Sequence, residues 1–403
     1  MRFFCFIFYV LIQFLTNFGV SFNMTNKKLM KIIFLLLVFL PFVLVSQEES
    51  TNAPKYSNEF LQIGVGARAL GLGNALVAGV DDVTAGYWNP AGLTQIENNL
   101  EFSLMHSEYF AGIAKYDYLG VAYNIDAGST FGFSALRFGV DDIPNTTQLI
   151  NNDGVFDYDK ITLFTAADYA FLFSYARKSK IEGLSLGGTL KVVHRRAGDF
   201  ARAWGFGIDA GMQYRSKKNW QFGVMMRDVT STFNAWIYNL DSEMQEVFIQ
   251  TGNEIPENGL ELTLPRIILA ARKKFDIGKK GLFIASEINT SITTDGRRNT
   301  LIQSNLFSMD PLMAIELGFK DLVRLRGGVN NFQYMKNFDS SEYLTFQPNI
   351  GVGVQLKGVT IDYAFTNIGN QSEALFSHVI SLKFGFGEQP FTKGKMMINN
   401  QNQ

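Results

Sequence analysis

Stretch after stretch of this chain alternates between apolar and small-or-polar side chains with a period of two, a pattern that serves a strand and not a helix. In residues 203–215 one face carries Trp204, Phe206, Ile208, Ala210, Met212 and Tyr214; the other carries Gly205, Gly207, Asp209, Gly211, Gln213 and Arg215. Ile315, Leu317 and Phe319 alternate with Glu316, Gly318 and Lys320, and Val359, Ile361, Tyr363 and Phe365 with Thr360, Asp362 and Ala364. Ile380, Leu382, Phe384 and Phe386 repeat the pattern against Ser381, Lys383 and Gly385. A soluble sandwich also alternates, but with shorter strands and more turns. Runs of ten or more residues with glycine and charge on one face fit a polar lumen and a lipid-facing exterior.

This reading predicts strands at 98–107, 114–124, 129–140, 164–177, 184–195, 203–215, 219–228, 264–274, 281–289, 311–319, 323–331, 348–356, 359–366 and 377–386. That is about 14, an even number, as a closed up-and-down bacterial barrel requires. The links supply an independent check. Even-numbered links are short: 125–129, 178–183, 216–218, 275–280, 320–322 and 357–358. All the long ones, 141–163, 229–263, 290–310 and 332–347, are odd-numbered. Outer-membrane barrels pair short periplasmic turns with long external loops in this way. The fold class expected is all-β: a 14-stranded antiparallel transmembrane barrel over 98–386, both termini on the periplasmic side, then a polar tail at 387–403.

Composition agrees where it bears on the question. The 37 Phe, 15 Tyr and 37 Gly against 9 Pro suit aromatic-anchored strands. A formal net charge of -1 argues against a nucleic-acid binder. The basic stretch from Met24 to Lys31 and the apolar run after it read as a signal peptide over 24–46, cleaved after Ser46; residues 1–23 read as an over-extended start. Cys5, the single cysteine, falls in that leader. The mature chain is therefore expected to have no disulfide and no cysteine-ligated metal.

Residues 64–93, GVGARALGLGNALVAGVDDVTAGYWNPAGL, break the alternation. They are too loosely patterned for a core strand and too rich in turn formers for one long helix, and they end in a helix-stopping Asn89-Pro90-Ala91-Gly92 turn. Within a segment spanning 47–97 they read as a compact hatch in the lumen.

Catalytic and ligand-binding motifs are weak. Gly64-Val65-Gly66 and Gly71-Leu72-Gly73 lack the Lys-Ser/Thr and βαβ setting of a phosphate loop. His106, His194 and His378 lack ligand spacing. Asp153, Asp157 and Asp159 depart from calcium-loop spacing, and Asp81-Asp82 reads equally well as a solvated turn. No Gly-x-Ser-x-Gly elbow occurs. No enzyme activity and no cofactor are expected. Two features stand out: an apolar set in the 229–263 link, including Phe233, Trp236, Tyr238 and Phe248, and an inward-facing polar set of Lys191, Asp209, Arg215, Glu287, Arg324 and Arg326.

The run GARALGLGNALVAGVDDVTAGYWNPAGL resembles the N-terminal signature of PorV/PorQ-type proteins, relatives of the FadL long-chain fatty-acid transporters. STFNAWIYN, TGNEIPENGLELTLPR and IDYAFTNIGN…HVISLKFGF resemble the PorV branch or a paralogue, so the resemblance covers nearly all of 64–387. It implies a 14-stranded outer-membrane barrel with a hatch, serving type IX secretion in Bacteroidota. Such a protein binds the C-terminal signal domain of cargo and shuttles it from the translocon to the surface attachment machinery. Its expected partners are translocon and attachment-complex proteins, cargo signal domains and outer-membrane lipid. The resemblance makes Phe233, Trp236, Tyr238 and Phe248 candidate cargo-binding residues, and maps Asn89, Pro90 and Gly92 onto the turn that closes the lumen. The competing expectation is a FadL-like transporter of hydrophobic small molecules, with ligand captured by apolar loops and passed by a kink or hatch movement.

Overall fold

In a computed structural model the described residues are 57–388, apart from 148, 150–154, 241, 279, 295, 321 and 367–376. The expected over-extended start, the signal peptide, positions 47–56, Asp153 and the tail beyond 388 lie outside the described residues.

Fourteen antiparallel strands close into a barrel. They are β1 (Asn98–Tyr109), β2 (Ala114–Asp126), β3 (Ser129–Asn145), β4 (Thr162–Lys178), β5 (Leu184–Ala197) and β6 (Ala201–Arg215). Next come β7 in two segments (Trp220–Arg227 and Thr232–Tyr238) and β8 in two segments (Gly259–Thr263 and Arg266–Ile277). The circuit continues with β9 (Leu282–Thr293), β10 (Ser308–Phe319), β11 (Val323–Lys336), β12 (Glu342–Leu356), β13 (Val359–Thr366) and β14 (Ser377–Glu388). A two-residue strand, Ile302–Gln303, adds to the start of β10. Each strand pairs with its sequence neighbours, and β1 pairs with β14 from Asn98↔Glu388 to Glu108↔His378. Closure leaves no free sheet edge, which is how a strand-built wall satisfies its backbone in lipid.

The pleat sorts the side chains as the alternation requires. Trp204, Phe206, Ile208 and Met212 of β6 point outward and are exposed, while Gly205, Gly207, Asp209, Gly211 and Gln213 are buried in the lumen. The outward face is apolar all round, from Leu104 and Phe131 to Ile315, Ile350 and Ile380. The buried face carries Glu101, Lys191, Asp209, Glu287, Glu316 and Arg326. A water-soluble protein has the opposite arrangement; this one matches a wall with lipid outside and a polar interior. No helix among the described residues is long and apolar enough to cross a membrane.

The short links hold, and all four long ones are shorter than the sequence suggests, two of them through added strand pairing. The 229–263 link was expected to be one loop. Instead the chain makes a four-residue break at 228–231 and resumes β7 as far as Tyr238, with β8 beginning at Gly259 opposite it. The turn-forming Asp228-Val229-Thr230-Ser231 bulges within the strand rather than ending it, with Asp228 and Ser231 at φ 55° and 56°. Similarly, β11 and β12 pair out to Lys336↔Glu342 around a bulge between Asn330 and Gln333, so most of 332–347 is hairpin.

Candidate functional site: a latched hatch in the barrel lumen

The hatch, residues 57–97, contributes no strand to the sheet. Short pieces fold inside the wall: 3-10 turns at Glu59–Gln62 and Pro90–Gln95, with helices α1 (Ala67–Gly71) and α2 (Ala85–Trp88) between them. Each helix is too short to stand alone, so packing rather than propensity maintains it. The core of the molecule is this insertion: Val65, Ala67, Ala75, Val80, Ala85 and Leu93 are fully enclosed.

Close approach of backbone to backbone makes that fit possible. A Cβ at wall residue Gly328 would sit 2.1 Å from the Leu72 carbonyl carbon, and one at Gly211 would sit 2.1 Å from Asn89 Oδ1. Asn89 is fully buried. Its Oδ1 accepts from Ala91 N at 3.3 Å, and its Nδ2 donates to Val77 O and to wall residue Met212 O, each at 3.0 Å. Pro90 supplies the first residue of the following 3-10 turn, where its missing N–H costs nothing. Gly92 packs so closely on Val80 O that a Cβ would lie 2.6 Å away. The hatch-turn candidates therefore sit in a closely packed part of the plug.

Charge latches the other end. Arg68 of the hatch donates to Asp81 Oδ1 at 2.6 Å and Asp82 Oδ2 at 3.0 Å, and Lys383 of β14 lies 3.5 Å from Asp82. Arg215 of β6 reaches Asp81 at 4.0 Å. Burial alone would raise the Asp81 carboxyl, but Arg68, Arg215 and Arg272 together hold it well below the usual carboxylate range. Asp82 is lowered in the same sense, with burial opposed by Lys383 and Arg68. Asp82 does not face water, against the solvated-turn reading: it is 4% exposed, whereas Asp81 is about one-third exposed. The wall also caps hatch amides directly, Glu287 Oε1 accepting from Ala78 N and Glu101 Oε1 from Val83 N, both at 2.8 Å. Gln213 Nε2 donates to Val77 O at 3.2 Å and Val80 O at 3.0 Å. Arg227 donates to Leu61 O and Tyr87 O, each at 3.2 Å, with its guanidinium 4.4 Å from the Tyr87 ring centroid.

The inward-facing set is brought together only in part. Lys191 joins Asp209 at 2.7 Å and Asp228, whose backbone N–H donates to Asp209 Oδ1 at 2.7 Å; the cluster sits at the break in β7. Arg326 belongs to a separate chain, Arg272–Glu316–Arg326–Asp362, with contacts of 2.8, 3.1 and 2.6 Å. Arg324 donates to Gln355 Oε1 at 3.0 Å. Sequence reasoning missed Arg68, Arg227, Arg272 and Lys383. The signal available for the last two was their place on the small-or-polar face of an alternating strand.

The four aromatic candidates do not share one loop. Phe233 lies on the outer wall, 6.0 Å from Phe206 between ring centroids. Trp236 belongs to the inward-facing set of the same strand; Arg195 stacks over it at 5.1 Å, and Tyr238 stacks beside it at 6.1 Å. Only Phe248 lies in the remaining loop, on helix α3 (Ser242–Gln250). The three histidines stand apart: His106 beside Asp117 at 2.7 Å, His194 on Trp204 at 4.2 Å, and His378 beside Tyr363. Asp157 caps a short 3-10 turn by accepting from Asp159 N at 3.2 Å. Among the described residues no group of three or more His, Cys, Asp or Glu is placed to hold a metal.

Fold and site together define a transmembrane β-barrel whose lumen is closed by a latched N-terminal hatch. No family profile and no curated protein matches the chain. Among solved structures, the CymD monoaromatic hydrocarbon channel aligns with a TM-score of 0.50 at 13% identity, covering 81% of this chain and 99% of that one. The toluene transporter TbuX of Ralstonia pickettii aligns at 0.48 and 14% identity, covering 80% and 98%. A FadL homologue of Pseudomonas aeruginosa aligns at 0.44 and 11% identity, covering 80% and 98%. The first of these likenesses shows that the chain shares the barrel fold of that channel.

Proposed function

We propose that this protein is a hatch-gated outer-membrane transporter of small molecules, with hydrophobic compounds as the first class to test. The observation that carries the reading is how the hatch is held. It fills the lumen, yet no hatch residue joins the sheet. It is tied by side-chain hydrogen bonds and ion pairs, each of which water or a ligand can replace singly. The Arg68–Asp82–Lys383 latch is one such tie between hatch and wall. Fold analogy to a hydrocarbon channel supports the choice of substrate, and it is an analogy. The break in β7, held by Lys191, offers a second place where the wall could part.

The test is solute entry into vesicles reconstituted with the full chain, with toluene and a long-chain fatty acid as probes. Saturable, protein-dependent entry of either supports transport. Entry no faster than in protein-free vesicles would sink it.

A second reading has one observation in its favour. Helix α3 carries Val247, Phe248 and Ile249 on a loop at the long-loop rim, with Ile249 66% exposed. An exposed apolar helix suits a protein partner. Type IX cargo capture, with translocon and attachment-complex partners, is the form the sequence resemblance gives it. Retention of a cargo C-terminal signal domain on the immobilised barrel, lost in Phe248→Ser, would favour it.

A further inference from the structure

Between the hatch and the long-loop half of the wall lies a cavity of about 270 Å³. Two arginines share its lining, Arg227 of β7 and Arg266 of β8. They stand directly opposite each other in the sheet register, each on the inward-facing row of its strand. Like charges in that position repel, and the pair is destabilising unless an anion answers it. Among the described residues neither arginine makes an ion pair. Arg227 Nη1 and Nη2 donate to neutral carbonyls, Leu61 O and Tyr87 O, each at 3.2 Å. Its Nε has no hydrogen-bond partner among the described residues, although Arg227 is only 6% exposed. Arg266 Nη1 donates to the neutral Gln62 Oε1 at 2.8 Å.

The nearby acids do not cancel this charge. Asp310 is the one acid of the cavity lining among the described residues, so two cations leave an excess of one positive charge there. Asp209 and Asp228, in an adjoining pocket, already share Lys191. Asp209 also accepts the Asp228 backbone N–H, and Asp228 accepts from Thr232 Oγ1. A buried excess of one positive charge asks for a monoanion, and the planar guanidinium fork suits a carboxylate. The rest of the lining offers an apolar side, formed by Leu70, Trp88, Ile268 and Leu312. Size sets the last condition. At roughly 30 Å³ per water-sized unit the cavity takes about nine such units, about the number of non-hydrogen atoms in benzoate and too few for a long acyl chain.

We propose that this vestibule binds a compact aromatic monocarboxylate of about benzoate size, with its carboxylate against Arg227 and Arg266 and its ring on the apolar side. The inference rests on the small-molecule transport reading and narrows its substrate class to a hydrophobic body carrying one acid group. The experiment is calorimetric titration of the full chain, purified in a non-ionic detergent, with sodium benzoate and with benzyl alcohol, which keeps the ring and lacks the charge. Saturable benzoate binding is expected with a Kd of about 1 mM or tighter, and benzyl alcohol should bind at least about tenfold more weakly. Arg266→Gln should weaken benzoate binding about tenfold, while Asp310→Asn should tighten it about threefold, both with heat-modifiable migration unchanged. A general loosening of the barrel would not move the two variants in opposite directions. Absence of benzoate binding in a barrel that passes toluene would overturn this ligand class and leave transport standing. Equal binding of benzoate and benzyl alcohol, or benzoate binding moved by neither substitution, would also overturn the assignment. Benzoate binding with both shifts, in a barrel that passes no solute, would support the vestibule and sink transport.

Discussion

At the scale of single residues, the hatch is held by a few contacts whose loss has a stated direction. Arg68 is the hub: it donates to two carboxylates of its own segment, half-buried Asp81 and buried Asp82. Arg68→Gln should leave Asp82 short of a cation and lower stability by about 3 kcal/mol, the usual cost of breaking a buried pair. Thermal melting of the purified barrel would measure this. Gly328→Ala should act sterically, because its Cβ would meet the Leu72 backbone at 2.1 Å. A loss of about 1–3 kcal/mol is expected from such overpacking. The pH dependence follows from the acids. Asp81 and Asp82 are lowered in the folded state, so their stabilisation is full above the ordinary carboxylate value near 4. It is lost as pH falls further. The melting temperature of the purified barrel should therefore hold steady from neutral pH down to about pH 4 and fall below it. A flat profile would remove Asp81 and Asp82 from the latch.

At the scale of elements, the interrupted strand β7 is the part of the wall that departs most from a regular barrel. Asp228 closes the break by binding Lys191 and accepting from Thr232 Oγ1 at 2.6 Å. Lys191→Met should leave Asp209 and Asp228 buried without their cation and cost about 3–5 kcal/mol. Proteolysis should then begin at 228–231, and cleavage confined to the loop tips would contradict this. The same element shows why part of the site was hidden from the sequence. Alternation identified all 14 strands and the inward place of Lys191 and Asp209, because the pleat imposes a period of two whatever the loops do. It could not tell that Asp228–Ser231 bulges and that Phe233 and Trp236 return to the wall, since a bulge and a loop begin with the same turn residues. Asp81 and Asp82 were legible as an acidic pair. The burial of Asp82 was not, because its partner Lys383 lies more than 300 positions away.

At the scale of the whole molecule, barrel and hatch are complementary: the hatch fills the lumen and is held by side chains the wall supplies. Under the proposed transport role the hatch must move relative to the sheet, and that movement can be blocked covalently. A Cβ at hatch residue Gly86 lies 3.7 Å from the Cβ of Ser174 in β4, within disulfide range. The sole native cysteine, Cys5, precedes the described residues. The most direct measurement is solute entry into vesicles carrying Gly86→Cys/Ser174→Cys, oxidised and then reduced. The account predicts that entry stops when the bridge forms and returns to the unmodified rate on reduction. Equal entry through the bridged and unbridged barrel would contradict a hatch-gated path.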